Sequence, residues 1–206
     1  MTDKKALLVI GAGDATGGAI ARRYAREGYI ACVTRRSADK LAPLVAQIQA
    51  DGGEAHGFAS GARKEEEMVA LVERIERDIA PIEVAVLNIG ANVRFGITET
   101  TARVYFKVWE MACFGGFLMG REAARVMLPR GRGTIIFTGA TASLRGREGF
   151  SAFAGAKHAL RALAHRRTGA EHGASFGRRA FMWRTPSSTA PSTPSTSAAT
   201  FRSAMR

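Results

Sequence analysis

The sequence is poor in cysteine and has no long hydrophobic run. Cys32 and Cys113 are the only cysteines among its 206 residues, and its four histidines do not cluster with them. This argues against a disulfide-stapled scaffold and a zinc module, so we expect no metal site. No apolar stretch reaches the roughly 18 residues of a transmembrane helix, and residues 6–10 are too short for the core of a signal peptide. We therefore expect a cytoplasmic protein without a membrane partner.

Acidic residues are scarce in the last part of the chain. The net charge is +12, and half of it lies in residues 165–206, where seven arginines face a single acid, Glu171. The other half is dispersed over the first 164 residues. Strongly basic proteins often bind nucleic acid through phosphate contacts. Because the excess of positive charge is partly dispersed and partly in an unusual tail, nucleic acid is disfavoured as a partner. If nucleic acid does bind, its binding should be salt-dependent and require the tail.

Short apolar runs alternate with amphipathic segments through the first 164 residues. Strands are predicted near residues 6–10, 29–34, 54–59, 84–87 and 134–137. Helices are predicted near residues 17–27, 41–48, 65–79, 101–128 and 150–164. Because each parallel crossover needs a helix, this alternation predicts an α/β fold with a doubly wound parallel sheet.

The composition then changes. Residues 185–200 consist only of Ser, Thr, Pro and Ala, and such a segment cannot bury enough apolar surface to offset its ordering entropy. We therefore divide the chain into a domain over residues 1–164 and a tail over residues 165–206, which we expect to be disordered. This tail can be interpreted as a flexible linker or as a glycosylated stalk.

A glycine-rich segment, Gly11-Ala12-Gly13-Asp14-Ala15-Thr16-Gly17, lies between the first predicted strand and the first predicted helix. In this context glycines allow the backbone to approach a pyrophosphate, while the helix N-terminus supplies amide donors. We assign Gly11, Gly13, Asp14, Thr16 and Gly17 to cofactor binding.

This segment resembles the TGxxxGxG loop of the short-chain dehydrogenases/reductases. Gly11 and Gly17 match the motif, Ala15 stands at its middle glycine, and Ile10 stands at its threonine. The resemblance implies a Rossmann-like domain that binds a nicotinamide dinucleotide.

Three later segments extend the resemblance over about residues 5–164. Leu87-Asn88-Ile89-Gly90 is similar to the family's Asn-Ala-Gly segment, residues 133–136 resemble the strand before the catalytic serine, and residues 150–163 resemble the active-site helix. The resemblance implies that Asn88 and Gly90 contact the cofactor. It also implies a small-molecule carbonyl or alcohol substrate and a homo-oligomer.

The family's catalytic residues are mostly replaced. In this family a tyrosine exchanges a proton with the substrate, a nearby lysine binds the nicotinamide ribose, a serine holds the substrate oxygen, and an asparagine supports a water relay. Lys157 matches the lysine, whereas the tyrosine, serine and asparagine positions hold Phe153, Ala140 and Ala112. The resemblance thus implies an oxidoreductase with a degenerate site; the alternative is a cofactor-binding pseudoenzyme acting as a sensor or interaction module.

Nearby hydroxyls are candidates to substitute for the missing groups. We predict Thr141 and Ser143 as catalytic candidates in addition to Lys157, although neither hydroxyl has the acidity of a phenol.

The cofactor preference is predicted from Thr34-Arg35-Arg36-Ser37, at the end of the second strand. An acid here would bind the adenosine ribose, whereas basic residues favour a 2′-phosphate. Arg35 and Arg36 therefore predict that NADP(H) is preferred over NAD(H); the other reading is a solvated loop pair. Gly61 occupies the position of the family's usual acid near the adenine, which removes one contact.

The tail has a third interpretation. Residues 180–194 can be encoded by a string that, regrouped with one preceding G, reads Gly-Ile-His-Val-Ala-His-Ala-Val-Val-Asp-Gly-Ala-Ile-Asp-Thr. This resembles the family's sixth strand and following loop, so residues from about 165 onward are hypothesised to be out of frame. The sheet would then lack its sixth and seventh strands.

Overall fold

Six parallel strands form a single sheet in the computed structural model, which describes residues 4–37, 39–165 and 181–184. The strands are β1 (Ala6–Ile10), β2 (Ile30–Arg35), β3 (Ala55–Ala59), β4 (Ile82–Leu87), β5 (Thr134–Thr138) and β6 (Phe181–Arg184). Their spatial order is β3-β2-β1-β4-β5-β6. The order reverses between β1 and β4, which creates a crevice at the carboxyl ends of these strands.

Six α-helices connect and cover the strands. They are α1 (Thr16–Arg26), α2 (Ala42–Ala50), α3 (Glu65–Asp78), α4 (Ala102–Trp109), α5 (Gly115–Met127) and α6 (Ser151–His165). One π-helical turn, Glu110–Phe114, joins α4 to α5, so the helix predicted over residues 101–128 is continuous but locally widened. Within the described ranges, no helix is long and apolar enough to cross a bilayer.

The sheet has a helix layer on each face. Leu7 and Val9 of β1 pack in one apolar cluster with α1 and α2. Leu8 and Ile10 point the other way and pack with α3, α5 and α6. Both faces of β1 are therefore buried, as the continuous apolar run predicts. This arrangement confirms the predicted doubly wound parallel sheet.

The C-terminal edge of the sheet differs from the expectation. No sixth strand was expected, yet β6 pairs with β5, with Phe181 opposite Ile135 and Arg184 opposite Thr138. A short apolar run predicts a strand where strands alternate with helical segments, and the sequence of residues 165–206 shows no such alternation. No seventh strand occurs among the described residues. The expectation of a disordered tail otherwise concerns residues outside the described ranges.

Candidate cofactor site

A cleft of about 650 Å³ opens at the carboxyl ends of β1 to β4. It lies at the reversal of strand order, where open α/β sheets bind their ligands. The predicted site residues that line it are Gly11, Gly13, Arg35, Arg36, Asn88 and Gly90. Asp14, Thr16 and Gly17 lie in the adjoining loop and first turn of α1 but do not line the cleft.

The glycines of the loop have two different roles. Gly11 has φ +88°, and a Cβ there would lie 2.5 Å from the Asn88 carbonyl oxygen; a Cβ on Gly17 would lie 2.6 Å from the Gly11 carbonyl oxygen. Neither position accepts a side chain without backbone movement. A Cβ on Gly13, in contrast, would meet no protein atom within 4 Å. Gly11 and Gly17 therefore permit tight packing, while Gly13 keeps part of the cleft open.

The start of α1 is available to an anion. Its N-cap residue, Ala15, provides no side-chain hydrogen bond to the first turn. Uncapped N–H groups at a helix N-terminus attract negatively charged ligands such as a pyrophosphate.

Asn88 connects three strand ends. Its backbone N–H donates to the Ile10 carbonyl at 2.8 Å, and its side-chain Nδ2 donates to the Gly11 carbonyl at 3.2 Å. Its Oδ1 accepts a hydrogen bond of 3.2 Å from the Thr138 hydroxyl. The residue thus holds the glycine loop against β4 and β5.

The end of β2 is joined directly to the same loop. The Thr34 carbonyl accepts hydrogen bonds from the N–H groups of Gly11 at 3.3 Å and Ala12 at 3.0 Å. The next two side chains are those of Arg35, which is half-buried, and Arg36, which is exposed. Neither pairs with a carboxylate among the described residues. Two guanidinium groups are therefore available beside the loop.

Lys157 is a buried cation on α6 and does not itself line the cleft. Its side chain is 3% exposed, and its Nζ donates to the Thr138 carbonyl at 2.9 Å and to the Ile89 carbonyl at 3.3 Å. An ammonium has three donors, so one donor has no partner within the described part of the chain. Burial lowers the pKa of Lys157 to about 8, because desolvation disfavours the charged ammonium.

Apolar side chains occupy the positions predicted for the family's tyrosine and asparagine. The Phe153 ring centroid lies 5.8 Å from Lys157 Nζ. Ala112 is fully buried in the π-helical turn, in an apolar cluster that Phe153 joins. π-Helical turns are frequent at functional sites, and this one contains the alanine that stands at the predicted asparagine position.

The two substitute hydroxyls have different surroundings. Ser143 is fully buried, and its hydroxyl donates to the Ala140 carbonyl at 2.6 Å. Its proton is therefore engaged locally. Thr141 is exposed. A catalytic role for either residue stays a prediction.

Several cleft residues were not predicted from the sequence. Ser60, Glu67 and Met111 also line the cleft, and the Ser60 hydroxyl is buried without a hydrogen-bond partner among the described residues. Sequence spacing assigned Glu67 only to a helix, with no signal that it reaches the cleft. No group of three metal-ligating side chains gathers in this part of the structure.

The chain is similar to known short-chain dehydrogenases over most of its length. The family model of the short chain dehydrogenases matches residues 5–173. Among curated relatives, the 2-dehydro-3-deoxy-D-gluconate 5-dehydrogenase of Formosa agariphila is 28% identical over 160 residues, which cover 77% of this chain and 61% of that protein. The chain spans about six tenths of the length of the curated relatives it matches first.

Solved structures have the same fold. A short-chain dehydrogenase from Rhodopseudomonas palustris is 53% identical with a TM-score of 0.74, covering 78% of this chain and 75% of its own. A variant of actinorhodin polyketide ketoreductase with NADPH is 26% identical (TM-score 0.76; 80% and 64% covered). An NAD⁺-bound xylitol dehydrogenase is 25% identical (TM-score 0.74; 79% and 62% covered).

Proposed function

Since the chain belongs to the short-chain dehydrogenase family, we propose that it binds NADP(H) and slowly transfers hydride between this cofactor and a small carbonyl or alcohol. The observation that carries the cofactor preference is the pair Arg35 and Arg36, which lines the cleft beside the glycine loop, in the segment of residues 34–37 that contains no acid. A guanidinium binds phosphate through several N–H donors in one plane, which suits a 2′-phosphate.

The residues present fit a dinucleotide. The open space at Gly13 and the uncapped start of α1 suit the pyrophosphate. The buried, unpartnered Ser60 hydroxyl lies at the side of the cleft where the adenosine would bind. When bound, the nicotinamide supplies or accepts the hydride.

The chain's own residues would bind and orient this group. The spare donor of Lys157 suits a ribose hydroxyl, and its two carbonyl acceptors hold the ammonium in place. Thr138 and Asn88 link that lysine to the glycine loop. Phe153 has no proton to donate, so proton transfer would depend on a weaker acid such as water or a threonine hydroxyl.

A cofactor-binding pseudoenzyme is the second candidate. It is favoured by the apolar cluster that contains Ala112 and Phe153, which offers no proton relay. Titration of the purified protein with NADPH and NADH, followed by assays with aldehydes and ketones, separates the candidates. Tighter NADPH binding with slow oxidation supports the enzyme, and NADPH binding without turnover supports the pseudoenzyme. Equal affinity for the two cofactors, or a preference for NADH, would contradict the proposed NADP(H) preference.

We also propose assembly into a homo-oligomer. Phe106, Trp109, Phe114 and Phe117 stack along α4, the π-helical turn and α5, with neighbouring ring centroids 6.0–6.1 Å apart. Phe106 is 60% exposed and Phe117 is 41% exposed. Contiguous exposed apolar groups often mark an interface. Light scattering should give a mass above that of the monomer, and a monomeric protein at micromolar concentration would contradict assembly.

The reading frame after about residue 165 is a separate proposal. Its support is the shifted reading of residues 180–194, a string that includes the whole of β6. Sequencing the gene across codons 160–190 tests it directly. A gene whose reading frame matches the printed sequence would contradict it, without affecting the cofactor proposal.

A further inference from the structure

Two loops extend from the carboxyl ends of neighbouring strands. The β4 loop (residues 88–101) leads from β4 to α4, and the β5 loop (residues 139–150) leads from β5 to α6. The β4 loop begins in the lining of the cleft, at Ile89. Farther along it, the Phe95 N–H donates to the Gly149 carbonyl of the β5 loop at 3.0 Å. The two loops are therefore joined beyond the cleft.

The two loops adjoin the predicted catalytic positions. Lys157 Nζ donates to the carbonyls of Ile89, near the start of the β4 loop, and Thr138, just before the β5 loop. The helix that carries Phe153 and Lys157 begins directly after the β5 loop. Because open α/β sheets bind ligands outside the carboxyl ends of their strands, a substrate that reacts beside α6 lies against these loops.

The Arg94 side chain is accommodated by a glycine of the opposite loop. Gly149 has φ +79°, and a Cβ there would lie 2.9 Å from Arg94 Cγ and 3.2 Å from Arg94 Nε. A side chain at residue 149 would therefore strain the backbone and displace the arginine. The hydrogen bond from Phe95 to Gly149 fixes the backbone beside Arg94, so this guanidinium group is carried by a defined structure.

Arg147 supplies a second guanidinium group next to the same glycine. Its guanidinium carbon lies 5.8 Å from the centroid of the Phe150 ring, and the Phe150 N–H donates to the Arg147 carbonyl at 3.1 Å. The two loops also contain the acids Glu99 and Glu148. Neither Arg94 nor Arg147 pairs with these or any other carboxylate among the described residues. Both guanidinium groups thus retain N–H donors for an anion.

Apolar side chains are exposed on the same loops. Phe95 and Ile97 belong to the β4 loop and Leu144 to the β5 loop, and all three are exposed. Burial of such groups against an apolar ligand removes hydrocarbon from water and is favourable. The loops therefore offer apolar contacts together with cationic hydrogen-bond donors.

We propose that Arg94 and Arg147 form an anion subsite, and that the substrate is a carbonyl or alcohol compound with an apolar body that carries a carboxylate or phosphate group. The inference rests on the proposed function, in which hydride transfer takes place beside Lys157. A guanidinium group binds either oxyanion through several N–H donors in one plane. The subsite lies outside the lining of the cleft, so it is separate from Arg35 and Arg36.

A purely structural role for these arginines predicts a different result. The Arg94 stem packs against Gly149, and the Arg147 guanidinium lies over the Phe150 ring. Methionine keeps an unbranched apolar stem at either position but removes the charge. If packing were the only role, methionine would change the binding of anionic and neutral carbonyl compounds equally, and the ratio of their affinities would stay the same.

The test measures that ratio by calorimetry on the protein saturated with NADP⁺, an oxidised cofactor that cannot reduce an aldehyde. The probes are 4-carboxybenzaldehyde, 4-formylphenyl phosphate and the neutral methyl 4-formylbenzoate. The variants are Arg94→Met, Arg147→Met, the double variant, and Arg94→Lys, which keeps the charge. Arg74→Met is the matched control, since Arg74 is also exposed and lies 5.3 Å from the Phe58 ring centroid, on α3. Thermal unfolding verifies that each variant is folded.

We expect the unmodified protein to bind one of the anionic probes at least about tenfold more tightly than the ester, the usual scale for a charge-assisted hydrogen bond. The tighter of the two identifies the substrate's anionic group as carboxylate or phosphate. Each single methionine variant should lower this ratio by about threefold or more, and the double variant should bring it within about twofold of one. Arg94→Lys should retain part of the preference, and Arg74→Met should retain all of it.

A ratio near one in the unmodified protein, or an unchanged ratio in the folded double variant, overturns the inference. Absence of binding by all three probes to the protein with NADP⁺ bound overturns it as well. Failure of the unmodified protein to bind NADP⁺ instead overturns the proposed function.

Discussion

The two halves of the candidate site present different side chains. In the first half, the glycine loop, Arg35 and Arg36 line the cleft and present backbone N–H groups and cations at the ends of β1 and β2. In the second half, outside the lining of the cleft, α6 places Lys157 beside Phe153, and Ala112 lies in the π-helical turn. The first half offers groups that suit an anionic ligand, whereas the positions predicted for the family's tyrosine and asparagine hold apolar side chains.

Lys157 has contacts that do not depend on catalysis. Its ammonium joins the carbonyls of Ile89 and Thr138, which follow or end β4 and β5. It therefore has a structural function. The Phe153 ring, in contrast, packs against the apolar cluster that contains Ala112.

Restoring the missing catalytic groups should produce the largest effect. In a chain with its reading frame restored, Phe153→Tyr with Ala140→Ser should raise kcat/KM for NADPH-dependent carbonyl reduction by about 10²-fold or more, since a positioned general acid alone contributes about 10²–10⁴-fold. The two gains should not simply add, because the residues act as a unit. Steady-state kinetics measures this.

Phe150→Tyr is the control, since it adds a phenol just before α6 without filling the catalytic position. Fast turnover by the unmodified protein would contradict the degenerate-site prediction. An unchanged rate in the restored double variant would favour the pseudoenzyme.

Substitutions in the glycine loop test whether Gly11 and Gly13 have separate roles. Gly11→Ala should lower the free energy of unfolding by about 2–4 kcal/mol, because Gly11 has φ +88° and its Cβ would collide with the Asn88 carbonyl. Gly13→Ala should change it by less than about 0.5 kcal/mol yet weaken NADPH binding. Urea unfolding and cofactor titration measure the two effects. Equal destabilisation by both substitutions would contradict the separate roles.

The buried Lys157 should make the free energy of unfolding depend on pH. The Lys157 pKa is lowered from 10.5 to about 8, so between these values the unfolded chain binds more protons than the folded chain. This group's contribution to stability therefore rises with pH across that window, by roughly 3 kcal/mol. The difference in unfolding free energy between the unmodified protein and Lys157→Met should shift by this amount in favour of the unmodified protein between pH 7 and 10.5.

Lys107→Met is the control for that measurement, because Lys107 is exposed and forms no ion pair among the described residues. A Lys157→Met difference that does not vary with pH would mean that the buried ammonium is not destabilised.

The cofactor preference should give the smallest effect per residue. Arg35→Ala and Arg36→Ala should each reduce the ratio of NADPH to NADH affinity by about tenfold, the scale of one charge-assisted contact. Arg23→Ala removes the same charge from α1 without altering the cleft and should leave the ratio unchanged. Fluorescence titration with both cofactors measures it. An unaltered ratio in the Arg35→Ala, Arg36→Ala double variant would indicate that these side chains are solvated loop residues.

Local patterns predicted much of this molecule but missed features created by distant contacts. The apolar runs located β1 to β5, and helical spacing located the helices, because each pattern reports which face is buried. The π-helical turn Glu110–Phe114 was not predicted: an extra residue within a helix hardly disturbs the periodicity. β6 was missed because its short apolar run lies in a basic, Ser/Thr/Pro-rich stretch of sequence that lacks the alternation of strands and helices.

The sequence by itself determined the alternation of strands and helices, the position of the glycine loop after β1, and the residue types at the cofactor and catalytic positions. Only the tertiary structure decided that Asn88 ties Gly11 to Thr138 and that Glu67 reaches the wall of the cleft. Periodicity encodes the burial of each segment, whereas these contacts arise because parallel strands far apart in sequence end at the same edge of one sheet.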